Sequence, residues 1–269
     1  MTYERRLAAA RATFRQWAEA VPAGGRVVVF CHFDADGLGA GAVFGRGLPR
    51  LDAIAGPVEV VPSGRDESAF SDAARRRLAA LEPDALLVTD LGVNARGTLE
   101  DAGVPVLYVD HHRPSGAPEG AFVVSGYDWE PIPCSAWLAH DLLAAEADVA
   151  DLDWIAAVGV ISDLGEMAPW PLLPAAKKRH TAKWLKETVA LVNAARRAPT
   201  FDAATALDAL LTFDGPKALA TAETPAASAP PASGSRRRPP RPGRPRRSSP
   251  SARPPCPTGS RPPTSASRS

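Results

Sequence analysis

The sequence predicts an α/β fold: a doubly wound, mostly parallel sheet, followed by a helical segment and a disordered carboxyl-terminal tail. Three observations predict it. Short, almost wholly apolar runs at 27–30, 85–89 and 105–109 read as strands covered on both faces. Helical stretches separate them, which is the β-α-β-α-β order of a parallel sheet with right-handed crossovers. The last 48 of the 269 residues change composition abruptly.

The elements follow in order. Residues 4–20 form an amphipathic helix with apolar positions at Leu7, Phe14 and Trp17 and just beyond it at Val21, and Pro22-Ala23-Gly24-Gly25 ends it. VVVF at 27–30 is the first strand, and the Gly/Ala-rich run GLGAGAVFGRGL after it is a helix able to lie close to the sheet. VEVVP at 58–62 is a strand, SDAARRRLAALE at 71–82 a helix, ALLVTD at 85–90 a strand, GTLEDAG at 97–103 a short helix and PVLYVD at 105–110 a strand. AFVVS at 121–125 suits an additional edge strand, and helices are expected at 134–146, 151–163 and 176–197. The domain reading is an amino-terminal helix over 1–22, an α/β domain over 23–165, a helical segment over 166–221 and a tail over 222–269.

The tail holds 13 of the 28 prolines, ten arginines, ten serines, the single acidic residue Glu223 and no aromatic residue. Such a segment buries too little apolar surface to offset its ordering entropy and is expected to be disordered. It carries +9 (ten Arg against one Glu), so the other 221 residues carry −8 (21 Lys and Arg against 29 Asp and Glu), and the formal +1 hides an acidic body. No apolar run reaches 18 residues and the amino terminus is charged, so a cytoplasmic chain without membrane contact is expected. Cys31, Cys134 and Cys256 form no CxxC pair, which excludes a disulfide framework and a thiolate zinc site and leaves metal chemistry to His and Asp. No GxGxxG or GxxxxGK[ST] follows the first strand, which disfavours a nucleotide-cofactor fold.

Four element endings carry the polar groups. FCHFDADG at 30–37 places His32, Asp34 and Asp36 within five residues. They share one face if the strand persists, or crowd into a loop if the chain turns by Gly37. Three ionisable groups leaving an apolar strand call for a counter-charge, which a divalent cation supplies. Asp90 closes the third strand, alone no more than a capping residue. Asp110, His111 and His112 close the fourth, where two adjacent imidazoles point in different directions and suit one metal ligand and one donor near a phosphoryl oxygen. Asp163 follows the apolar run 154–161 and precedes Gly165. In open α/β sheets ligands bind beyond the carboxyl ends of the strands, so the convergence of these groups outweighs each alone. Together they can supply two divalent sites sharing a carboxylate, the arrangement that activates a bridging hydroxide for phosphoryl transfer. Mixed His and carboxylate ligation favours Mn²⁺, with Mg²⁺ or Zn²⁺ as alternatives, since Mg²⁺ prefers oxygen-only sites.

These motifs resemble the DHH phosphoesterase superfamily, named for the Asp110-His111-His112 triplet, over roughly residues 25–165. HFDADG at 32–37, Asp90 in VTDLG, DHHRP at 110–114 and Asp163 in VISDLGE match its four motifs in order, and the two-residue intervals of HxDxDG lie closest to the RecJ-like exonuclease branch. The resemblance implies one metal on His32, Asp34 and Asp90 and a second on Asp36, Asp90, His111 and Asp163, with Asp90 bridging. His112 would touch the scissile phosphate or its leaving group. Asp110 would orient a histidine or lie behind the ligands, direct metal contact being the alternative. The nucleophile would be metal-bound water.

Family members carry a second, substrate-binding domain with a glycine-rich GGGH-like segment. Here LDALLTFDGPKALATAE at 207–223 runs directly into the arginine-proline tail. The second domain is therefore expected to be absent or truncated, and the tail to reflect an out-of-frame reading or truncated gene rather than a native arm. The expected function is metal-dependent hydrolysis of a nucleic acid, oligonucleotide or dinucleotide, with single-stranded nucleic acid or a small nucleotide as partner. The alternatives are a nucleic-acid-binding protein with weak or no catalysis and a truncated, inactive phosphoesterase. Arg65 and Arg113, each after a strand, are candidate phosphate contacts. His140 and His180, single histidines on helices, read as non-ligands, and Trp129, Trp137, Trp154, Trp170 and Trp184 as packing residues. Oligomeric state is left open.

Overall fold

The computed structural model describes residues 2–198 and 201–222; the predicted tail, apart from Ala222, lies outside the described residues. Strands β1 (Val27–Cys31), β2 (Val58–Pro62), β3 (Ala85–Thr89), β4 (Val106–Asp110) and β5 (Phe122–Ser125) form one sheet in the order β2-β1-β3-β4-β5, with every neighbouring pair parallel. The three inner strands β1, β3 and β4 are buried along their whole length, which is why their sequences are apolar without alternation. AFVVS takes the expected edge place as β5.

Alternate residues feed two separate cores. Val27, Val29, Leu87, Leu107 and Val109 face α1 (Tyr3–Ala20), α2 (Ala35–Gly47), α4 (Ser135–Leu143) and α5 (Asp153–Leu164). Val28, Phe30, Leu86, Val88, Val106 and Tyr108 face α3 (Asp72–Ala80) and the segment carrying Val93 and Leu99. Helix α1 inserts Phe14 and Trp17, both fully buried; truncating either to Ala would remove about 3–5 kcal/mol of stability. The Gly-rich α2 does lie against the sheet: a Cβ at Gly41 would come within 2.7 Å of Cys31 Sγ. Trp129, Trp137, Trp154 and Trp170 are buried, as packing residues should be, and Trp184 is half-buried beneath Lys183.

Three expectations change. The segment 97–103 forms only a 3-10 turn, Glu100–Ala102, because Gly103 enters the left-handed region at φ 74°. The helix expected over 176–197 is two helices, α6 (Leu173–His180) and α7 (Ala182–Arg197), broken at Thr181, whose φ of 67° no helix accepts. The Gly-rich helix begins at Ala35 rather than beyond Gly37, so Asp36 lies inside its first turn. After α7 come α8 (Ala203–Thr212) and α9 (Pro216–Thr221). No helix among the described residues is long and apolar enough to cross a membrane.

Candidate metal centre

The chain leaves β1 for β2 on one side and returns to place β3 on the other, so the carboxyl ends of β1 and β3 flank the switch point of the sheet, where such folds open a crevice. The ladder continues past the strands: His32 N–H donates to Thr89 O and Asp90 N–H to Val109 O, both at 3.2 Å. Register alone therefore sets His32, Asp90 and Asp110 side by side.

The strand does not persist through HFDADG. β1 stops at Cys31, and the chain turns so that Asp34 caps α2, its Oδ1 accepting from the N–H groups of Asp36 and Gly37 at 3.1 and 3.0 Å. Its Oδ2 lies 3.3 Å from His32 Nδ1. Asp34 is thus a helix cap and a member of the cluster at once. Asp36 points inward and is buried.

Asp90 is the hub. It is buried and sits at φ 62°, a left-handed conformation that costs a non-glycine residue about 1–3 kcal/mol. Its Oδ2 faces His32 Nδ1 at 3.4 Å, while its Oδ1 faces His111 Nε2 at 3.4 Å and accepts from Ser135 Oγ at 3.0 Å. His111 Nε2 also lies 3.9 Å from Asp36 Oδ2 and 3.9 Å from Asp163 Oδ2, the latter in the last turn of α5. Donor atoms of His32, Asp34 and Asp90 lie within 4.8 Å of one another, and so do those of Asp36, His111 and Asp163. Nitrogen and carboxylate donors at this spacing fit two divalent cations, one on either side of Asp90.

A third combination, Asp90, His111 and His112, is also close enough. The adjacent imidazoles, with ring centres 4.3 Å apart, thus both come near Asp90 Oδ1, so they divide by partner more than by direction. His112 approaches with Nδ1, which is held at 2.9 Å by Asp110 Oδ1, and ligation there would break that bond. Asp110 Oδ1 further accepts from His112 N–H at 2.6 Å, and its Oδ2 from Gly92 N–H at 2.7 Å. Asp110 therefore spends both oxygens on orienting this corner.

Titration follows the geometry. Burial works against a charged His32 ring, but Asp34 and Asp90 outweigh it and raise its pKa to about 10. For His111, burial is likewise outweighed, by Asp90, Asp36 and Asp163, and the pKa rises. Burial, reinforced by the charge of Asp90, pushes Asp36 up, and burial raises Asp163. Burial of Asp110 is overcome by its bonds from His112, leaving it lowered, and Asp110 in turn raises His112. Carboxylates crowded this closely compete for positive charge, which is the demand a cation meets.

The match to the N-terminal domain model of the DHH family covers residues 26–191. The chain belongs to the DHH family. Over 166 residues it is 31% identical to the single-stranded-DNA-specific exonuclease RecJ of Thermus thermophilus, covering 56% of this chain and 24% of that one, so it spans about a quarter of the curated relative's length. A crystal structure of exonuclease RecJ bound to manganese superposes with a TM-score of 0.62 at 28% identity, covering 78% of this DHH chain and 62% of that chain. RecJ from Thermus thermophilus in complex with Mn²⁺ (TM-score 0.56, 23% identity, 78% and 36% covered) shares the fold. So does the DHH domain of a member of the s1p family of ribosomal proteins (TM-score 0.61, 17% identity, 80% and 58% covered). The fold is that of the DHH metal-dependent phosphoesterases, with RecJ-like homology at low identity.

Beside the DHH cluster opens a cavity of about 390 Å³ reached by His32, Asp90 and His112 and walled by Phe33 and Arg65. Arg65, singled out from sequence, donates to the carbonyls of Arg196 and Ala198, both at 3.1 Å; Arg113 is exposed. His180 pairs with Asp153 at 2.7 Å, and His140 packs edge-on against Trp170, so neither joins the cluster. Two neighbours of the DHH cluster escaped sequence reasoning. Arg196 of α7 brings Nη1 to 3.8 Å from Asp34 Oδ2, and its buried Nε has no hydrogen-bond partner among the described residues. Ser135 opens α4 and touches Asp90. An arginine and a serine on distant helices carry no local pattern that marks them.

Proposed function

We propose that this DHH chain hydrolyses a phosphodiester bond of a nucleic acid, oligonucleotide or dinucleotide. The observation that carries the proposal is Asp90, whose two oxygens face two donor sets at the floor of an open cavity. His32, Asp34 and Asp90 would hold one divalent cation, and Asp36, Asp90, His111 and Asp163 the other. Mn²⁺ suits the mixed donors best and Mg²⁺ is the alternative. When bound, the pair supplies an ionised water at neutral pH and neutralises charge on the phosphoryl oxygens.

The remaining work falls to the chain. Asp110 holds His112 by Nδ1 and favours its protonated form, which leaves Nε2 to donate to a phosphoryl oxygen or to the leaving group. Arg65 on the cavity wall would supply positive charge to a phosphate in an otherwise acidic body, while Arg196 stands beside Asp34. Single-stranded DNA is the substrate supported by likeness to RecJ, a single-stranded-DNA-specific exonuclease.

The test is a panel of bis-p-nitrophenyl phosphate, pAp, cyclic dinucleotides, short RNA and single-stranded DNA, incubated with the full chain and Mn²⁺. Hydrolysis of at least one diester is expected. Asp90→Ala should abolish it and lower Mn²⁺ occupancy; near-wild-type turnover by that variant would sink the two-metal reading.

A further inference from the structure

The first turn of α4 grips the buried carboxylates of Asp36 and Asp90 at once. Ser135 N–H donates to Asp36 Oδ2 at 2.8 Å and Ala136 N–H to Asp36 Oδ1 at 2.9 Å, while Ser135 Oγ donates to Asp90 Oδ1 at 3.0 Å. Asp36 arrives on α2 and Asp90 follows β3, so one dipeptide ties together groups from two other elements. A serine at a helix start ordinarily serves its own helix, as Ser71 does when its Oγ accepts from Ala74 N–H at 3.1 Å. Ser135 does not: the cap position of α4 is Cys134, whose own side chain makes no cap bond, the first N–H groups of the helix go to Asp36, and the Ser135 hydroxyl donates outward to Asp90. It is fully buried, so water does not compete for that bond.

The packing that permits this grip is tight. A Cβ at Gly159 of α5 would lie 2.4 Å from the Ala136 Cβ and 2.8 Å from Asp36 Oδ1. The oxygen that Ser135 holds is also specific. Oδ1 faces His111, whereas Oδ2 faces His32. A hydroxyl donating to one lone pair of Oδ1 leaves the other directed toward the Asp36, His111 and Asp163 set.

We propose that Ser135 is a positioning residue: its hydroxyl orients the shared carboxylate of Asp90 and thereby strengthens cation binding by the Asp36–His111–Asp163 set. The inference rests on the two-metal reading above. Partners behind metal ligands, when removed, weaken metal affinity by about 10–100-fold. Ser135→Ala removes one oxygen and no backbone group, so both bonds to Asp36 survive and the hydroxyl is tested alone.

The experiment is calorimetric titration of chelator-treated full-length chain with Mn²⁺, followed by electron paramagnetic resonance at two equivalents. Wild type should take up two ions and give an exchange-coupled spectrum. Ser135→Ala should keep one site at wild-type affinity, weaken the other by about 10–100-fold and show the signal of isolated Mn²⁺ at the same loading. Asp163→Asn, whose carboxylate belongs to the His111 set alone, should weaken the same binding step. Two ions bound by Ser135→Ala with wild-type affinity and coupling would overturn the proposal. Equal loss at both sites, with a lower melting temperature of the chelated variant, would mark a merely structural serine and overturn it too. A wild type that takes up no Mn²⁺ would instead overturn the two-metal reading itself.

Discussion

Asp90 occupies a strained backbone conformation, lies buried, and presents different oxygens to His32 and His111. Strain of this kind persists only where the surroundings over-determine it, and here the β3–β4 ladder and Ser135 do so. His112 is the complementary case, more than half exposed and held through Asp110 alone at close range. Replacing His112 by Ala should lower turnover far more than Mn²⁺ content, and parallel loss of both would show that it is a ligand. The histidines also set a pH dependence. His32 keeps its proton up to about 10, against an ordinary value of 6.5, and His111 shifts the same way. Cation binding must displace these protons, so Mn²⁺ affinity should climb with pH, roughly tenfold per unit for each proton displaced. Titrations between about pH 6 and 8 in buffers of different ionisation enthalpy would read both the slope and the protons released. A flat profile would count against His32 and His111 as ligands.

At the scale of elements, the site is made by ends that point the same way. Parallel strands place every carboxyl terminus on one edge, and α2, α4 and α5 then close over it through small residues. Gly159→Ala should push α5 away from Ala136 and Asp36. Overpacking of this size typically destabilises by about 1–3 kcal/mol, readable by urea unfolding, and Mn²⁺ affinity should fall with it. A variant with unchanged stability and affinity would mean that α4 and α5 can separate freely. The apolar runs made β1, β3 and β4 legible from sequence, because burial on both faces removes polar residues. The break at Thr181 was not legible: neither Gly nor Pro marks it, and a positive φ is unusual at an exposed threonine.

For the whole molecule, the charge ledger of the sequence acquires a location. The body carries −8, and five aspartates, 34, 36, 90, 110 and 163, gather at a single sheet edge. Every donor named for the two cations lies between His32 and Asp163, so a chain ending at Ala222 should bind Mn²⁺ as the full chain does and retain any hydrolysis of bis-p-nitrophenyl phosphate. Loss of Mn²⁺ binding on removing 223–269 would show that the centre needs residues beyond the described ones. Long single strands are a separate matter, since ten arginines at the carboxyl end would attract phosphate in a salt-dependent way if the chain binds nucleic acid. Comparing the two chains on a small diester and on single-stranded DNA separates chemistry from grip.

The sequence by itself determined the chain order of the five strands, the apolar character of the inner strands, and the rank of Asp and His residues at their ends. Each of those is written in contiguous residues, where the solvent exposure of one short segment dictates its composition. Only the tertiary structure decided which oxygen of Asp90 faces which histidine, that Asp110 turns its carboxylate to His112, and that Ser135 and Arg196 belong beside the centre. Strand register sets Asp90 among the histidines and Asp110 reaches a neighbour two residues on, but the Ser135 and Arg196 contacts join residues up to 162 positions apart (Asp34 to Arg196), which only the close packing of helices on the sheet brings together.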